Sequence, residues 1–123
     1  MLAAPAAAQM TIDNAPVREM LERACVFATE CVEAEGCTET EFEPRLAGRM
    51  GGMTPDEMIV EAGFESPAET VRLLGVLSNG ALSLAGGTFQ ARHLLTVSDT
   101  GAARYTVHYA EGPMAISYLG TCE

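Results

Sequence analysis

Four cysteines, two histidines, three tyrosines and a dense run of glutamates are the residues of this chain whose types and spacing could do chemistry. The cysteines are Cys25, Cys31, Cys37 and Cys122. A zinc site wants paired ligands of the C-x₂-C kind, and dithiol redox chemistry wants C-x-x-C. Here five residues separate each of the first three cysteines, and the fourth lies far downstream. Neither chemistry is indicated, and the even count points to two disulfides in an oxidising compartment. Of the three connectivities that four cysteines allow, we favour Cys31–Cys37 as a local bridge and Cys25–Cys122 as an end-to-end one. The second closes a loop of nearly a hundred residues, worth about 4–5 kcal/mol in the chain-entropy account.

The histidines are His93 and His108. A histidine can serve as a general base or a metal ligand. In the strand register that the C-terminal third favours, His93 shares a face with Phe89, Ala91, Leu95 and Val97. His108 lies on the other face, with Arg104 and Thr106, so the two should not meet in one site. No carboxylate neighbours either in the chain, so His93 reads as a hydrogen-bonded core histidine and His108 as a surface one. Tyr105, Tyr109 and Tyr118 could form a stacking platform, and equally a core stripe. Met50-x-x-Met53 is a poor copper site without histidine, and loose methionines usually fill gaps. G-x-S-x-G does not occur, and Gly86-Gly87 reads as a turn rather than a phosphate loop. We therefore expect no catalytic residue, no metal and no cofactor. The candidate binding residues are Glu33, Glu35, Glu39, Glu41, Glu43, His93 and Tyr105.

Charge narrows the partners. The net charge is −10, and residues 1 to 70 hold fourteen of the seventeen acids against four arginines. Residues 71 to 123 balance to zero, and six glutamates with no base lie between Cys25 and Pro44. Such a chain repels phosphate backbones and anionic bilayers, which excludes nucleic acid as an expected partner. The acidic half is either a solvated face that keeps the protein soluble or a docking surface for a cationic protein. No apolar run approaches the ~20 residues that span a bilayer as a helix.

Elements must position these groups. Ala6-Ala7-Ala8 fits the small-residue pattern of a signal cleavage site, so residues 1–8 read as the tail of a secretory signal and residues 9–123 as one disulfide-bonded domain. The protein would then be periplasmic or secreted. Residues 13 to 24 read as a helix, with Asp13 or Asn14 as cap and Pro16 in the first turn. Val17, Met20, Leu21, Ala24 and Ala28 recur at helical spacing. Residues 38 to 47 alternate as a half-buried strand, with Pro44 demanding an edge or a bulge. Thr54-Pro55-Asp56-Glu57 and Ser66-Pro67-Ala68-Glu69 match capping boxes, which would start helices near 55–62 and 67–77. The rival reading, which we prefer, places strands at 57–64 and 69–77, with a hairpin across Asn79-Gly80. Phe89 to Val97, Arg104 to Tyr109 and Met114 to Leu119 read as three further strands. A turn at Glu111-Gly112 sets Tyr109 opposite Met114, Val107 opposite Ile116 and Tyr105 opposite Tyr118. The expected fold is all-β, an antiparallel meander closing as a small barrel or stacking as a sandwich, with a short N-terminal helix.

The stretch from Ala103-Arg104-Tyr105 through Tyr118-Leu119-Gly120-Thr121-Cys122 resembles small exported proteins of unknown function from Gram-negative bacteria. It is also similar to the periplasmic inhibitors of c-type lysozyme, small antiparallel barrels whose terminal cysteine bonds back to the first strand. Ser98-Asp99-Thr100-Gly101-Ala102-Ala103-Arg104-Tyr105 matches their Ser-Gly-x-x-Tyr-like segment loosely. The lysine of their inhibitory loop and their tryptophans are missing here. The resemblance covers about a third of the chain. The charge asymmetry and the lack of a catalytic constellation lead to the expectation of an exported, non-catalytic binding protein that docks a cationic envelope protein through its acidic N-terminal half. A carrier of small apolar ligands and an inhibitor of a lysozyme-type hydrolase are the alternatives.

Overall fold

A computed structural model describes residues 10–123 of the chain, so the signal tail expected at 1–8 lies outside the described residues. The described residues form nine antiparallel strands and no helix. In chain order they are β1 (Val17–Val32), β2 (Gly36–Phe42), β3 (Arg45–Thr54), β4 (Glu57–Glu65) and β5 (Thr70–Ser78). β6 (Ala81–Gly87), β7 (Ala91–Val97), β8 (Ala102–Tyr109) and β9 (Met114–Cys122) complete the set. The sheet runs β2-β1-β3-β4-β5-β6-β7-β8-β9, and β1 also pairs with β9. The pairing therefore comes full circle through eight strands, with β2 attached outside that ring.

The helix expected over 13–24 is replaced by the first half of β1. Of the five residues that suggested a helical stripe, only Leu21 is buried, and Met20 is 81% exposed. The buried set on this segment is Leu21, Cys25 and Phe27, which has a period of two. Arg23 interrupts that alternation and masks it in the sequence. Pairing of this half-strand with β3 along its whole length then overrides the local propensity.

β1, β2 and β3 are one long hairpin. The first half of β1 pairs with β3, from Val17 opposite Gly52 to Ala24 opposite Arg45. The second half pairs with β2, from Phe27 opposite Phe42 to Val32 opposite Gly36. The single strand expected over 38–47 is thus broken at Glu43-Pro44. Pro44 has no N–H to give, and its carbonyl accepts from the Cys25 amide at 3.0 Å. Around Ala28 the register of β1 slips by one residue against both β2 and β9. Such a bulge exchanges the two faces of a strand. Cys25 and Phe27 point inward before it, and Glu30 faces the same side as Tyr118 after it.

The stretch 54–78 is strand, and both proline-bearing boxes are turns. Thr54 pairs with Glu57 across Pro55-Asp56. At the second box the Ser66 amide donates to the Glu69 carbonyl at 2.9 Å. Asn79 and Gly80 both adopt positive φ, 49° and 85°, the conformation of a tight hairpin turn. Gly75 sits where β5 crosses β6 so closely that a Cβ would lie 1.9 Å from the Ser83 carbonyl oxygen. Gly120 is placed alike against Val26 at the β1–β9 junction. Missing side chains at such points let a small sheet curl back on itself.

The last three strands follow the expected register. Tyr109 opposes Met114, Val107 opposes Ile116 and Tyr105 opposes Tyr118. Val60, Leu46, Leu73, Leu82, Leu84, Leu95 and Val97 fill the interior, each at most 1% exposed. Both disulfides join residues directly opposite on paired strands, Cys25–Cys122 between β1 and β9 and Cys31–Cys37 between β1 and β2.

Candidate functional site

Five strands each send one ring to the same end of the interior. Phe27 from β1, Phe42 from β2, Phe64 from β4, Tyr105 from β8 and Tyr118 from β9 form a cluster with neighbouring ring centroids 4.8 to 6.5 Å apart. Phe42 reaches it because Pro44 turns the chain where β2 leaves the ring. His93 on β7 stacks on Tyr105 at 5.8 Å, and its Nδ1 lies 2.5 Å from the Tyr105 hydroxyl. Above the rings is a cavity of about 130 Å³, with Ser66, Ala68, Glu69 and Tyr109 at its rim.

The electrostatics of this mouth follow from burial. Burial pushes the His93 imidazole below its ordinary value, opposed by the charge of Glu69. Burial also raises Tyr105, and Glu69 adds to the effect. The Tyr105 hydroxyl thus stays protonated and shares a hydrogen bond with the Nδ1 of His93. Tyr118 is raised to about 12, first by burial and then by its hydrogen bond to Glu30. Protonated hydroxyls, aromatic faces and the Glu69 carboxylate at the rim make an arrangement suited to binding.

These shifts carry a pH dependence of known sign. The unfolded chain ionises tyrosine at its ordinary value of 10, before folded Tyr118 does at about 12. This contribution to stability is therefore complete below pH 10 and is lost as pH rises through about 12. Tyr105 acts in the same direction. His93, lowered from 6.5, contributes fully above that value and loses its contribution as pH falls below it. Urea unfolding midpoints at mildly acid, neutral and strongly alkaline pH should describe a dome. In Tyr118→Phe the alkaline side should be shallower, and an unchanged alkaline side would refute this account.

The expected site residues divide into two groups. His93 and Tyr105 meet in the mouth, whereas His108 faces the opposite way, opposite Arg92 on β7. Glu33 and Glu35 lie at the tip of the β1–β2 hairpin, and Glu39, Glu41 and Glu43 follow along β2; all five are exposed. Among the described residues, none of the five forms an ion pair. Nearby bases are engaged elsewhere, Arg45 with Glu22 and Arg49 with Asp13 at 2.5 Å. β2 pairs only with β1, so its outer edge is free.

Glu30 and Glu69 are the functional groups that reading the sequence missed. Glu30 looked like one more member of an acidic run, and only the bulge at Ala28 turns it inward. Glu69 looked like part of a helix cap, and its turn brings it to the rim. The pairing of Tyr105 with Tyr118 was the one signal in the sequence that located the mouth. Among the described residues, no three of His, Cys, Asp and Glu gather to hold a metal ion. Comparison of the chain with protein-family models, with curated proteins and with solved structures gives no match.

Proposed function

We propose that this chain is an exported binding protein, a small closed barrel that docks a cationic protein through its acidic N-terminal half. The observation that carries the reading is the β1–β2 hairpin. Its strand β2 hangs on β1 outside the ring with a free outer edge, and the hairpin bears five exposed glutamates without a basic partner among the described residues. Uncompensated charge on a projecting edge steers an oppositely charged partner and offers it backbone hydrogen bonds. Two disulfides favour an oxidising compartment, the periplasm or the exterior. The interior packed with leucine and valine favours recognition at the surface over an enclosed apolar ligand.

A basic hydrolase such as lysozyme is the first partner to try. Wild-type protein should be retained on immobilised lysozyme at low salt and released as salt screens the charges. The triple variant Glu39→Gln, Glu41→Gln, Glu43→Gln should bind about tenfold more weakly, mainly through slower association. If other basic proteins retain the chain and lysozyme does not, the inhibitor reading fails and the docking reading stands. If no basic protein retains it, the docking reading fails as well.

A further inference from the structure

We propose that the mouth of the ring takes the cationic end of one lysine or arginine side chain, supplied by the partner that the acidic hairpin attracts. This deepens the proposed function and rests on it. The cavity is about 130 Å³, well below the roughly 300–1,000 Å³ of sites for whole small molecules. It suits a charged head with its last methylenes. Its walls are the rings of Phe42, Phe64, Tyr105, Tyr109 and Tyr118, and stacked aromatic faces attract a cation through their quadrupoles. Glu69 lies at the rim. Glu30 stands directly opposite Tyr118 on the paired strands β1 and β9, where its carboxylate helps to keep that hydroxyl protonated and keeps lone pairs for a second donor.

The charges argue for a cation and against an anion. Among the described residues no arginine lines the cavity, so an anionic group would meet the Glu69 carboxylate at the rim and no permanent positive charge. His93, buried and bonded to Tyr105, adds no positive charge when neutral. The same hairpin links mouth and docking face. On one side of β2, Phe42 lines the cavity, and on the other Glu39 and Glu41 face solvent. A partner drawn to the glutamates is thereby brought beside the opening.

The test uses the disulfide-intact chain and small probes followed by tyrosine ring NMR. Nα-acetyl-lysine methylamide and its arginine counterpart should shift the Tyr109 and Tyr118 ring resonances. The norleucine analogue, similar in length and uncharged, should not. Glu69→Gln should weaken the lysine probe about tenfold, the loss expected when one partly desolvated charge contact is removed. Glu30→Gln should do the same while keeping an acceptor for Tyr118. Glu69 is exposed, so its variant gives an answer even if the Glu30 one folds poorly. Equal shifts with norleucine, or no ring shifts with either cation, would overturn the proposal.

Retention on a basic protein separates this idea from the one beneath it. Retention that falls in Glu69→Gln supports a partner's side chain as the occupant. Ring shifts with the probes but unchanged retention in Glu69→Gln would overturn that occupant. Retention lost in the β2 triple variant, without ring shifts in wild type, would leave the docking reading standing and remove only the mouth. Ring shifts without any retention would remove the docking reading.

Discussion

Replacing Cys25 and Cys122 together by alanine is expected to cost about 4–5 kcal/mol, the chain-entropy value for a bridge across so long a loop. Their sequence separation is 97, against 6 for Cys31 and Cys37. The same account gives only about 2 kcal/mol for the shorter bridge. A domain of this size has roughly 5–15 kcal/mol in total, so losing the first bridge leaves it marginal and losing the second leaves it folded. The first loss is also a packing loss. Cys25 and Cys122 are 1% and 0% exposed, at the seam between β1 and β9. Alanine is the substitute to use, because serine would add buried hydroxyls that need partners. Denaturant titration of the two double variants checks this. Equal midpoints would mean that the seam is held by its strand pairing alone and that the long bridge adds nothing.

Phe27→Ala is the second large effect, about 3–5 kcal/mol in the usual range for buried aromatics. Phe27 is 0% exposed and touches Phe42, Phe64, Tyr105 and Tyr118 with ring centroids 5.9 to 6.5 Å away. It is also the last inward residue before the bulge, so it fixes where β1 changes face. Removing it opens a void under the mouth and unties Phe42 from the ring. The near-ultraviolet circular dichroism of the tyrosines should collapse further than the stability loss alone explains. Phe27→Leu, which keeps most of the volume, should cost much less. If both variants lose the same stability, the site is tolerant and the cluster is not a unit.

How far the sequence could be read varied along the chain for physical reasons. The last three strands were clear because Tyr105, Val107 and Tyr109 face Tyr118, Ile116 and Met114, and a one-residue slip would break that run of apolar and aromatic pairs. The turn at Asn79-Gly80 was equally plain. β1 was misread because its inward face carries Arg23 between Leu21 and Cys25, while Val17, Met20 and Ala24 happen to fall at helical spacing. The second capping box is real local chemistry, with Ser66 and Glu69 bonded to each other, but both boxes bend a turn instead of starting a helix. The candidate site was half visible. His93 was read on the core face of its own strand and Tyr105 in register with Tyr118, but nothing in the sequence joined the two, and Glu30 needed a bulge that leaves no mark in residue types.

The double engagement of β1 also sets an order of events. β1 pairs with β3 and β2, its near neighbours in the chain, and its remaining edge from Cys25 to Val32 is satisfied only by β9, nearly a hundred residues away. During synthesis the hairpins of neighbouring strands can form as they emerge, since their contacts are local. Closure cannot begin until β9 has been made, so the slow step joins two strands that lie far apart in sequence. Until then a growing chain presents two open edges, β2 and half of β1. Edges of that kind template aggregation. The glutamates along β2 blunt one of them throughout, which gives the acidic run a duty during folding that is complete before any partner is met.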